Sequence, residues 1–278
     1  MNMNNQNLKF AINHCSCPHL SPKELINLAE NLGIAAVELR NDIKENSVTE
    51  IAMAENVGKY AAEKNIEILT INGLYPFNIW NKESQYQTEK LADLCQAAGA
   101  KALVCCPLVS EKMNFTEDEQ VKKTIEALKK ISPILKSRGL MGHLETLGFP
   151  TSTLRKKNLA LRSIDDAGVS DIFNLLHDNF HHAAAYEREY YPKRTGLVHI
   201  SSVIEQSLSM EDLQDAHRFF VQEKDITSCL KQINELIKSG YDGYFSFEPF
   251  ANEIWRYPEP GIFIKASMNY IIKNIDSL

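Results

Sequence analysis

One motif recurs along nearly the whole chain and leaves few folds open to it. A stretch with helical spacing closes at a glycine or asparagine, and a short apolar run begins within a few residues. Gly33 leads into the run 34–39, Asn65 into 66–71, Gly99 into 102–106, Gly139 into 140–145 and Gly240 into 243–248. These residue types suit the stops because a helix commonly ends on a left-handed residue that they adopt at little cost. Helix starts are marked as clearly. Ser21, Pro22 and Glu24 spell a capping box with proline in the first turn. Thr116 and Glu119 spell another, followed by Val121, Ile125 and Leu128 on one face.

Three further runs, 10–13, 171–178 and 196–200, bring the strands to eight. Eight units in 278 residues leave about 35 residues each, the size of a βα unit. Alternating strands and helices imply a parallel sheet, and eight units suggest closure into a (β/α)8 TIM barrel. An open, doubly wound sheet is the alternative, but residues 13–17 carry no glycine-rich phosphate fingerprint. No composition break marks a linker, so residues 1–278 are expected to form a single domain.

Composition narrows the function. Thirty Lys and Arg against 36 Asp and Glu give a net charge of −6 with no basic cluster, which argues against a nucleic-acid partner. No apolar run reaches the ~18 residues of a membrane span, and residues 1–9 are too polar for a secretory signal. Six cysteines, two of them adjacent, do not form a disulfide framework, so a cytoplasmic location is expected.

In a barrel, chemistry lies at the carboxyl ends of the strands. Four consecutive runs finish there in Glu145, Asp178, His199 and Glu248. Each is expensive to bury alone. Singly, a glutamate at a strand end is an ordinary ion-pair partner or helix cap, and a histidine an ordinary core residue. Together, three carboxylates and one imidazole make a cage for one divalent cation, Mn²⁺, Zn²⁺, Co²⁺ or Mg²⁺. His181 could lean over the same site, with His182 beside it solvated. His14, Cys15, Cys17 and His19 lack zinc-knuckle spacing and read as a strand end and loop, with Asn13 facing the pocket. Cys105 and Cys106 read as core, and Glu38 with Arg40 as a structural bridge. Tyr75, Phe77, Trp80, Trp255 and Arg256 are either pocket walls or loop packing.

The order Glu145, Asp178 with His181, His199, Glu248 resembles the xylose-isomerase-like barrel superfamily of sugar isomerases and epimerases, which also contains endonuclease IV-type repair enzymes. Within it, the likeness is greatest to the 2-keto-myo-inositol (inosose) isomerases of inositol catabolism, in residues 37–40, 106–111 and 246–250. The resemblance implies metal ligation by Glu145, Asp178, His199 and Glu248. It also implies substrate contacts from His181 and Arg218. Two departures stand out. Residues 221–224 replace a Pro-Gly-x-Gly loop expected to border the pocket, and Ser201 and Ser202 replace an acidic residue after His199.

The implied reaction is isomerisation or epimerisation of a small polyol ketone through an enediolate, with Glu145 and Glu248 as the acid–base pair. Asn13 and Trp255 join His181 and Arg218 as substrate-binding candidates. The partner is a small molecule, and the chain acts as a monomer or homo-oligomer. A metal-dependent phosphodiesterase and a non-catalytic sugar-binding barrel are the other readings.

Overall fold

A computed structural model describes residues 8–275. Among them eight strands run in the order β1 (Lys9–Asn13), β2 (Ala36–Arg40), β3 (Glu67–Leu74), β4 (Ala102–Cys105), β5 (Met141–Glu145), β6 (Phe173–Asp178), β7 (Thr195–Ile200) and β8 (Tyr244–Phe247). The intervening helices are α1 (Pro22–Leu32), α2 (Ile51–Glu63), α3 (Lys82–Ala98), α4 (Glu117–Lys136), α5 (Lys157–Ala167), α6 (Asn179–Ala184) and α7 (Cys229–Lys238), and α8 (Pro260–Asn274) follows β8. Neighbouring strands are parallel, and β8 pairs with β1 through Phe245 opposite Phe10, so the sheet closes. This is the (β/α)8 barrel expected from the sequence, and the β1–β8 pairing excludes the open sheet.

Local signals acted as their chemistry requires. Gly33, Asn65, Gly99, Gly139 and Gly240 all have positive φ, between 56° and 95°. Ser21 and Glu24 close a reciprocal capping box on α1, and Thr116 and Glu119 close one on α4. No helix among the described residues is long and apolar enough to cross a membrane.

Side chains alternate across each strand, and that alternation places the site. Val37, Leu39, Leu103, Cys105, Leu144, Leu175, Val198, Ile200, Phe245 and Phe247 belong to the large apolar cluster with the helices. Ala11, Ala36, Leu69, Val104, Leu176 and Leu197 form a separate small cluster from the opposite strand faces. Two residues further along five of these strands stand Asn13, Glu38, Cys106, Asp178 and His199. A polar layer therefore caps the small apolar one at the carboxyl end of the barrel.

Candidate metal centre at the barrel mouth

Glu145 ends β5, Asp178 ends β6, His199 is the penultimate residue of β7, and Glu248 follows β8 by one residue. All four are buried, and one donor atom from each lies within 4.8 Å of all the others. His199 is the hub. Its Nε2 stands 3.0 and 3.2 Å from the two carboxylate oxygens of Glu38. An ionised carboxylate only accepts, so Nε2 carries a hydrogen, and Nδ1 is the nitrogen left to meet either a second proton or a cation. Nδ1 is buried without a hydrogen-bond partner. It faces Glu248 Oε2 at 3.0 Å, Glu145 Oε1 at 3.3 Å and Asp178 Oδ2 at 3.9 Å.

Three carboxylates converging on one buried nitrogen require a positive charge among them, a proton on Nδ1 or a cation. Burial alone would lower the His199 pKa, but the charges of Glu248 and Glu38 outweigh it and push it well above 6.5. The same field that draws a proton to Nδ1 favours a divalent cation in the proton's place. The donor set, one imidazole and three carboxylates, fits such an ion. Neighbouring arginines hold the oxygens in place. Arg218 Nη2 donates to Asp178 Oδ2 at 2.6 Å and to Glu248 Oε2 at 2.8 Å, and Arg40 Nη1 donates to Glu248 Oε1 at 3.1 Å. Burial pushes the Glu248 pKa up, yet the charges of His199 and Arg218 hold it far below 4.5.

Above this layer opens a cavity of about 430 Å³. Glu145, Glu248, His181 and Arg218 line it, together with Tyr75 and Phe149. His181 is brought there by α6, whose N-cap Asp178 accepts from the His181 amide at 3.0 Å. Its ring packs edge-on against Phe149 and Phe180, and its Nδ1 has no protein partner.

Other candidates fall elsewhere. Asn13 does not line the cavity. It is fully buried beneath the site, donating to Glu248 Oε1 at 3.2 Å and Glu38 Oε1 at 3.3 Å. Trp255 sits in a 3-10 turn, Ile254–Arg256, and is absent from the cavity lining. Phe77 is core and Trp80 packs against it, so of the proposed aromatic walls only Tyr75 reaches the cavity. The 221–224 loop also lies outside the lining, with Val221 buried in the apolar cluster. Glu38 and Arg40 do not serve one another as expected: Arg40 grips Asp42 with two 2.7 Å bonds and reaches Glu248. His182 is not solvated. It is buried against the Lys157 ammonium, which also meets His177 at 3.3 Å and Glu187 at 3.0 Å.

Glu38 and Cys106 are among the residues of the site that escaped the sequence reading. Glu38 accepts from His199, Thr70, Asn72, Asn13 and Ser246. Cys106, read as core, lines the cavity with its thiol 3.1 Å from Glu145 Oε2. Period-two alternation was the available signal, because Cys106 directly follows Cys105, the last residue of β4, and successive residues of extended chain face opposite sides.

A closed barrel with a buried cluster that could hold a metal ion at the carboxyl ends of β5 to β8 places the chain among the (β/α)8 barrels that carry their site at that face. The chain belongs to the xylose isomerase-like TIM barrel family, whose pattern it matches over residues 26–272. It is similar to a xylose isomerase domain-containing protein from Salmonella typhimurium LT2, at 32% identity over 99% of both chains and a TM-score of 0.87. It shares the fold of the IOLI protein, whose crystal structure holds a zinc atom, at 21% identity over 98% and 100% of the chains, TM-score 0.83. It also shares the fold of a D-psicose 3-epimerase with D-tagatose from Clostridium cellulolyticum H10, at 11% identity over 96% and 99%, TM-score 0.73. No curated protein sequence matches the chain.

Proposed function

We propose that the protein is a cytoplasmic, metal-dependent isomerase or epimerase of a small uncharged polyol ketone, a ketose or an inosose. The observation that carries this reading is the convergence of three carboxylates on His199 Nδ1, a buried nitrogen with no hydrogen-bond partner. Glu145, Asp178, His199 and Glu248 would hold one divalent ion. When bound, that ion supplies electrophilic stabilisation for negative charge developing on a substrate carbonyl oxygen.

The protein's own groups account for the remainder. Proton transfer beside a carbonyl needs a carboxylate with an available oxygen at the cavity. Glu145 meets that need better than Glu248. Glu248 is clamped by Arg40, Arg218 and Asn13, which weakens it as a base. Glu145 has no lysine or arginine partner among the described residues and faces the cavity with one oxygen turned from His199. His181, with a free ring nitrogen, serves to hold substrate hydroxyls, and Arg218 lies beside it on the cavity wall. Tyr75, Leu147, Phe149 and Phe250 give the apolar surface that the carbon face of a sugar ring needs. The endonuclease-type alternative finds no support in a chain of net charge −6 whose cavity arginines are both paired with carboxylates.

The test is incubation of the metal-loaded protein with ketoses and inososes in D₂O. Deuterium should enter at a carbon next to the carbonyl, and Glu145→Gln should slow that entry by about 10²–10⁴-fold. Exchange that is absent for every polyol ketone, or undiminished in the variant, would overturn the reading.

A further inference from the structure

The three carboxylates of the cluster are not held alike. Asp178 and Glu248 share the Arg218 guanidinium, and Glu248 takes further donors from Arg40 and Asn13. Glu145 has the imidazole of His199 on one oxygen and the Cys106 thiol on the other, 3.3 and 3.1 Å away. The two contacts divide its carboxylate. Oε1 turns to the ligand cluster, and Oε2 turns to Cys106 at the cavity wall.

The cysteine is itself fixed. Its backbone amide donates to the Leu74 carbonyl at 3.0 Å and its carbonyl accepts from Phe77 at 3.0 Å, so main-chain bonds on both sides fix the direction of its Cα–Cβ bond. The five other cysteines are fully buried, and Cys106 alone is partly open. An ionised carboxylate cannot donate, so the hydrogen between them is the thiol's.

We infer that Cys106 is a positioning residue for Glu145: its S–H bond holds Oε2 at the cavity wall, apart from the ligand cluster that Oε1 faces, so that Oε2 would stay available to a substrate proton when an ion is bound. The inference rests on the reading of Glu145 as the proton-transfer carboxylate. A thiol suits the task because it is a weak donor, directing the oxygen while withdrawing little of its basicity. A lysine or arginine at the same place would direct it equally and weaken it as a base.

Infrared spectroscopy of the metal-free full chain tests the contact without any turnover. The S–H stretching band of Cys106, isolated by subtracting the spectrum of Cys106→Ala, should lie below the position of an unbonded thiol and move up in Glu145→Leu. A band at the unbonded position in the wild-type protein overturns the inference, whatever the protein's substrate proves to be. With a polyol ketone identified, Cys106→Ala should lower kcat by about 10–100-fold, the usual effect of losing a supporting hydrogen bond, with KM and Zn²⁺ affinity little changed. Cys106→Ser, which keeps a donor, should restore most of kcat. Equal loss in both variants, or wild-type kcat in Cys106→Ala, would show that the thiol only fills space. A wild-type chain that exchanges no ketone overturns the functional reading instead, and the infrared band still decides the Cys106–Glu145 bond.

Discussion

A carboxylate buried as deeply as Glu38 survives only if donors surround it, and here five side chains do so. Burial pushes its pKa up, but His199 and the hydroxyls of Ser246 and Thr70 hold it down at about 2. Glu38 therefore stays charged and fixes both the tautomer and the plane of the His199 ring. Carboxylate support of a metal-binding imidazole is commonly worth 10–100-fold in metal affinity. Glu38→Gln should accordingly weaken Zn²⁺ binding by about 10–100-fold in competition with a chromophoric chelator. Unchanged affinity would reduce Glu38 to a packing residue. The sequence displays the four cluster residues because each stands at or next to the end of an apolar run. It hides Glu38 and Cys106 because each lies among apolar neighbours, where only the alternation of strand faces tells inward from outward.

At the scale of an element, the stops and starts of the helices are written locally, which is why they could be read before any contact was known. The α1 box is the simplest case. Ser21 Oγ accepts from the Glu24 amide at 3.4 Å and the Glu24 carboxylate accepts from the Ser21 amide at 2.7 Å. Ser21→Ala should cost about 1 kcal/mol in urea unfolding at neutral pH. The Ser21 amide and hydroxyl hold the Glu24 pKa below 4.5. A carboxylate with a lowered folded pKa stabilises the fold above its unfolded value and loses that contribution as pH falls through the folded one. The stability gap between wild type and Ser21→Ala should therefore narrow in acid below pH 4.5, and a constant gap would remove Glu24 from the cap. Loops were less legible than helices. Trp255 and residues 221–224 follow strands β8 and β7, and nothing in their local pattern tells which loop residues turn toward the mouth.

On the scale of the whole molecule, charge decides what the barrel mouth admits. The described residues lining the cavity include two permanent cations, Arg40 and Arg218. Both are committed. Arg40 gives two bonds to Asp42 and one to Glu248, and Arg218 bonds Asp178, Glu248, Asp215 and Ser201. A phosphate or carboxylate on the substrate would have to compete with the half-exposed Asp42 and Asp215, or displace Asp178 or Glu248 and leave a buried carboxylate unanswered at a cost of several kcal/mol. The mouth lies in a chain of net charge −6, so the long-range field offers an anion no compensation. A neutral polyol needs only hydroxyl partners and an apolar face. The unphosphorylated ketone should thus exceed its phosphorylated counterpart in kcat/KM by at least about tenfold, one unpaired ionic contact being worth more than that. Its kcat/KM should also be nearly flat as salt is raised, because no charged encounter is there to screen. Steady-state kinetics on a ketose and its phosphate ester, at low and at physiological ionic strength, measure both. Faster turnover of the ester, or a steep fall with salt, would mean that Arg40 or Arg218 leaves its carboxylate to receive the substrate.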